Sequence, residues 1–145
     1  MEQSRKNLKF MSIAMLILAG LSFARILLEL IFTDFNAKAA EGVTKELWVA
    51  AVIIIAVIGF ILLLPQIYIG IKGIKVSKNP DSSKGHIVWA VILLVISIIG
   101  LVAYVVEAIK TGAFKDNISA ITNMLLDVTI YSSYLEYAKK VRANA

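Results

Sequence analysis

The chain contains no cysteine. Disulfides, thiolate metal sites and a cysteine nucleophile are therefore excluded, and redox usage gives no information about the compartment. Histidine is nearly as scarce: His86 stands alone in a lysine-rich stretch, where a solvated contact with lipid headgroups is expected and metal binding is not. Charged residues make up only 17% of the chain. No intramembrane protease pattern, zinc pair or nucleophile with an adjacent base is visible, so the sequence leads us to expect no enzyme activity, no cofactor and no metal.

What is present is apolar. A hydrophobic content of 59% and a mean hydropathy of +0.83 lie outside the range of ordinary soluble domains. Four long apolar segments, residues 8–32, 47–71, 87–109 and 118–137, each meet the requirement of about 20 residues for a spanning helix. With no water in the bilayer core, backbone N–H and C=O groups must pair within the segment, so these runs are expected as helices. The expected fold is all-α: an integral membrane four-helix bundle, with four transmembrane helices, short loops and one transmembrane domain over residues 1–145. The fourth segment is the least apolar, because it contains Asn123, Asp127 and many hydroxyls. The stretches between spans are too short for a fused nucleotide-binding, nucleic-acid-binding or hydrolase domain.

The positive charge is lopsided. Arg5, Lys6 and Lys9 precede the first span, Lys72, Lys75, Lys78 and Lys84 fall between the second and third, and Lys139, Lys140 and Arg142 follow the fourth. Short cytoplasmic loops carry the excess of Lys and Arg, so both termini are expected to be cytoplasmic. The opposite side holds Lys38, Lys45, Lys110 and Lys115. The net charge of +5 then reads as topology and contact with the lipid bilayer, not as a nucleic-acid footprint. The basic start, apolar run and "SFA" before Arg25 imitate a signal peptide. The apolar run continues past that site to Phe32, so an uncleaved first span is expected.

Asn79, Pro80 and Asp81 signal a turn, Ser82 or Ser83 is the expected cap of the third helix, and Gly112 marks its end. Asp116 or Asn117 is the expected cap of the fourth. Phe32, Phe35, Trp48 and Phe114 form one aromatic belt, and Phe10, Tyr68, Trp89 and Tyr137 the other. Pro65, followed by Gln66, predicts a kink in the second helix. Small residues at Gly20 and Ala24, Ala56 and Gly59, Gly70 and Gly73, and Gly100 and Ala103 permit close helix contact.

One stretch, "LSFARILLELIF", sets Arg25 and Glu29 inside the first apolar run. A charge near the bilayer centre costs about 2.5 to 3.5 kcal/mol on insertion scales, so it is expected to face the bundle and find a partner. Arg25 lies on the order of 11 Å below the outer end of its span and Asp127 on the order of 14 Å below the outer end of the fourth, at 1.5 Å per residue. The two are placed to meet. Glu29 is one turn above Arg25 on the same face. Met11, Met15, Leu18, Ser22, Arg25 and Glu29 share a helical stripe, as do Ser119, Asn123, Asp127, Tyr131 and Tyr134, and Glu107 lies near the same layer.

The candidate polar cluster is thus Arg25, Asp127, Asn123, Glu29 and Glu107. It reads as an interhelical clamp fixing register. Second to that stands an outward-facing ion, proton or small-cation site with Asp127 as the binding or titrating group and Arg25 tuning it, and third a contact with a partner membrane protein or homo-oligomer.

The stretches "GIKGIKVSKNPDSSKGH" and "LLDVTIYSSYLEYAKKVR" resemble small four-span membrane proteins of Gram-positive bacteria in layout and loop style. The resemblance implies a bacterial plasma membrane and carries no catalytic or binding residues. Four spans in a short chain also resemble small multidrug transporters, but their acid lies in the first span, whereas here the mid-membrane acid is in the fourth. The expected function is an accessory or interaction protein of the plasma membrane. The alternative is a small oligomeric transporter or channel subunit.

Overall fold

The computed structural model describes residues 1–34 and 42–145; Phe35 and Lys38 lie outside the described residues. The helices are α1, Glu2–Phe32, α2, Lys45–Lys78, α3, Gly85–Thr111, and α4, Phe114–Ala143, with 31, 34, 27 and 30 residues. At 1.5 Å per residue these are rods on the order of 40 to 50 Å, longer than the roughly 30 Å hydrocarbon layer. Three of them, α1 to α3, are long and apolar enough to cross a membrane. α4 has the length, but Asp116, Asn117, Asn123 and Asp127 interrupt its apolar surface, and it is not shown as a span.

Helix ends follow local chemistry more closely than the hydropathy pattern. Thr44 caps α2 by accepting the Leu47 N–H at 3.3 Å, with Glu46 in the first turn and Lys75 and Lys78 in the last, which suits the helix dipole. α2 continues as one element through Pro65. The expected serine cap of α3 is replaced: the helix begins at Gly85 after Lys84, while the Ser83 N–H donates to Asp81 Oδ1 at 2.9 Å. Likewise α4 starts after Ala113, so Asp116 and Asn117 lie in its first turn, and the Asn117 amide donates back to the Ala113 carbonyl at 3.1 Å. Gly112 ends α3 with φ of 66°, in the left-handed region that favours glycine.

The helices run up and down around a square. α1 packs most extensively on α2 and α3 on α4, the α1–α4 and α2–α3 seams are smaller, and the diagonal α2–α4 contact is slight. Burial is confined mainly to the end that holds both termini. There Leu8, Met15, Ile69, Val76, Ala90, Tyr134, Ala138 and Val141 are at most 1% exposed. At the other end Ile31, Ile54, Ile99 and Leu125 are exposed. The bundle is closed at one end and open at the other.

A latch holds the α2–α3 turn at the closed end. Lys72 Nζ stands 2.8 Å from Asp81 Oδ2, and this hydrogen bond, followed by those from Ser83, pulls the Asp81 carboxyl down from 3.8 to about 2. Both side chains are partly exposed, so the latch contributes less than about 1 kcal/mol. Because the folded value is depressed, that contribution is present above the ordinary carboxylate value and disappears as pH falls through the folded one. The melting-temperature advantage of the wild type over Asp81→Asn is therefore expected at pH 6 and closes between about pH 4 and about pH 2. An advantage unchanged at pH 2 would show that the latch is not ionic.

Candidate functional site

At the open end, the stripes on α1 and α4 face one another across their seam. Leu18, Leu21, Ser22 and Arg25 of α1, with Asn123, Leu126 and Asp127 of α4, line a hollow of about 310 Å³. A second hollow of about 320 Å³ draws Arg25 and Asn123 together with Tyr104 of α3 and Asp116 and Ser119 of α4. Arg25 and Asn123 line both, so they form the partition between them. The guanidinium is held by its own helix: Arg25 Nε donates to Glu29 Oε1 at 2.8 Å, with the two side chains 70% and 62% exposed. Among the described residues there is no Arg25–Asp127 ion pair, although both side chains line the first hollow. Glu29 also borders an apolar groove between α1 and α2. Glu107 is exposed on the last turns of α3 and lines neither polar hollow.

The arrangement offers a cation flanked by carboxylates, amide and hydroxyl groups in a groove between neighbouring helices. Such a groove suits a polar side chain of another helix, or a small hydrated solute. No residue of α2 lines either hollow, so neither is an axial channel.

The closed end contains a polar cluster that hydropathy did not reveal. His86, expected in solvent, is 1% exposed, and its Nδ1 lies 2.6 Å from the Tyr134 hydroxyl. Tyr134 has one hydroxyl proton for two neighbours. Donation to the Ile69 carbonyl, 3.3 Å away, requires His86 to carry its hydrogen on Nδ1. Nε2 is then a bare nitrogen, buried and without a partner among the described residues. The missed signal is periodic: His86, Ala90, Leu93 and Ser97 recur at helical spacing and are all buried, so α3 begins one residue before His86 and carries it into the core.

Glycine makes room for this cluster. A Cβ on Gly73 would collide first with the Ser12 hydroxyl and would stand 2.7 Å from Tyr134 Cε2 and 2.9 Å from its hydroxyl, and one on Gly70 2.6 Å from Leu16 Cγ and 3.1 Å from the Ser12 carbonyl. Of the small-residue pairs noted in the sequence, Gly70 and Gly73 mark the closest approach, whereas Gly20 has nothing within 4 Å. Beside them the Gln66 amide donates to the Met15 carbonyl at 3.1 Å, joining α2 to α1.

No protein family, curated protein or solved structure matches this chain.

In detergent, Gly73→Ala is expected to lower the melting temperature by several degrees, because roughly 1–3 kcal/mol of overpacking exceeds the ~1 kcal/mol of helix propensity gained. Tyr134→Phe keeps the ring but orphans His86 Nδ1, at a cost of about 1–3 kcal/mol. Gly20→Ala should be neutral or slightly stabilising. A Gly73→Ala protein as stable as wild type would show that neither Ser12 nor Tyr134 fills that notch.

Proposed function

We propose that this chain is a four-span protein of the bacterial plasma membrane, with both termini cytoplasmic, acting as an accessory or interaction protein. The groove between α1 and α4 is its contact site for a polar group on another membrane helix. The observation that carries this reading is that groove: Arg25 and Asp127 stand in a cleft walled mainly by two neighbouring helices, in the half of the bundle that its own packing leaves open. In lipid an exposed charge costs about 2.5 to 3.5 kcal/mol on insertion scales, so a partner that covers it is stabilised by the same interaction. On this reading α4 is the fourth span, with Asn123 and Asp127 of its polar stripe on the groove.

A second reading, a small transporter or channel subunit, is favoured by one observation: the hollow of about 310 Å³ reaches Asp127 and has room for a hydrated cation. In an oligomer, that carboxylate would be the binding or titrating group.

The test compares wild type with an Arg25→Leu/Asp127→Leu double variant, purified from native membranes. Because the replaced residues line a cleft outside the core, the double variant should melt within a few degrees of wild type while losing a stoichiometric partner membrane protein. Retention of that partner would refute the contact site. Loss of an ion or proton flux in proteoliposomes on Asp127→Asn, with folding intact, would establish the second reading instead. Reporter fusions after Ala145 and at Lys78 should both be active only on the cytoplasmic side, and activity on opposite sides would refute the topology.

A further inference from the structure

At the closed end, the start of α1 meets the end of α2 in a hollow of about 430 Å³ lined by Glu2, Arg5, Lys6, Lys9, Ser77 and Lys78. The geometry points to this hollow as a binding site for the phosphate of an anionic phospholipid headgroup, its acyl chain running along α1. The inference rests on the membrane-embedded reading alone and is independent of the groove at the open end.

Arg5 organises the site. Its Nε donates to the Ser77 carbonyl at 2.7 Å and its Nη2 to the Lys78 carbonyl. These carbonyls belong to the last turn of α2, where no further helical N–H reaches them, so Arg5 supplies the cap that the helix itself lacks. The fork is fixed by two bonds, and three of its five N–H donors are left over. Around it Lys9 and Lys78 have no ionic partner among the described residues, and Lys6 shares Glu2 at 2.8 Å. Four cations thus face a single carboxylate. An arriving phosphate meets a charge deficit and a positioned donor.

The choice of a lipid over a free phosphate comes from what adjoins the hollow. Residues 6, 10, 13 and 17 share one face of α1. Below Lys6 that face presents Phe10, Ile13 and Ile17, exposed by 66%, 39% and 58%. A headgroup held at Lys6 has an apolar track directly beneath it, whereas inorganic phosphate gains nothing from that track. Each Lys or Arg near an anionic surface is worth about 1 kcal/mol, so three lysines correspond to roughly 100-fold in affinity.

The test is native mass spectrometry of the detergent-purified full chain titrated with phosphatidylglycerol or phosphatidylcholine. Wild type should bind phosphatidylglycerol at least tenfold more tightly, and Lys6→Gln/Lys9→Gln/Lys78→Gln, which spares the Arg5 cap and alters exposed residues only, should abolish the preference. Lys110→Gln/Lys115→Gln, at the opposite end, should retain it. A preference that survives in the triple variant, or is lost equally in the Lys110/Lys115 variant, would overturn the site. Inorganic phosphate displacing phosphatidylglycerol at equal concentration would overturn the headgroup assignment and leave a site for soluble phosphate.

Discussion

The seating of Tyr134 against Gly73 is the contact on which the bundle depends. Three helices converge there: α4 supplies the ring, α2 the notch and the Ile69 carbonyl, and α3 the His86 imidazole. Ser12 of α1 closes the fourth side, its hydroxyl turned back to the Leu8 carbonyl at 2.7 Å. The hydroxyl, imidazole and carbonyl exchange hydrogen bonds that would each be costly to leave unmade in a dry interior. A purely apolar contact would accept several rotations of α4. This one accepts few, because both the notch and the hydrogen-bond partners must be met together.

The location of this contact along the helices has a physical reason. Rods of about 40 to 50 Å are longer than a hydrocarbon layer of roughly 30 Å, so on the proposed topology their basic ends emerge into water, where burying apolar surface is worth about 25 cal/mol per Å². Inside lipid the same burial yields little, since acyl chains are as apolar as leucine. The tight packing at the closed end includes Val76, Ala138 and Val141 beyond the apolar runs, and it continues into them only where polar groups and glycine contacts are added, around Met15, Ile69 and Tyr134, while Ile54, Ile99 and Leu125 remain on the outside of the open half. The same division explains the two kinds of polar group. Those at the closed end are buried and mostly paired, as with Gln66 and Tyr134, whereas Arg25 and Asn123 are exposed along a groove.

The sequence was most legible where the signal is long. Four helices, the end of α3 at Gly112 and the stripes on α1 and α4 follow from hydropathy and period. Each stripe, however, changes character along its length, from buried Met15 and Tyr134 to exposed Arg25 and Asn123, and periodicity alone does not report that change. His86 was misplaced because a hydropathy window penalises histidine and ends the helix beside it; its register with Ala90 and Leu93 was the better guide. The caps at Ser83 and Asp116 failed for a related reason. A capping residue satisfies whichever N–H its turn presents, and in both turns the helix started elsewhere, after Lys84 and Ala113.

A bundle fixed at one end and loosely packed at the other is mechanically asymmetric. Small rotations about the Tyr134 contact translate into larger displacements at Arg25, nearly three turns from Met15 along α1. Glu29 moves with Arg25, because both sit on one helix and their ion pair is internal to it. Asp127 belongs to α4 and does not move with them. The Arg25–Glu29 pair therefore survives widening or narrowing of the groove, whereas the distance from Arg25 to Asp127 reports it. Placing one carboxylate on the arginine's own helix and another on the facing helix keeps the guanidinium paired at every separation and leaves Asp127 without an ion pair to Arg25.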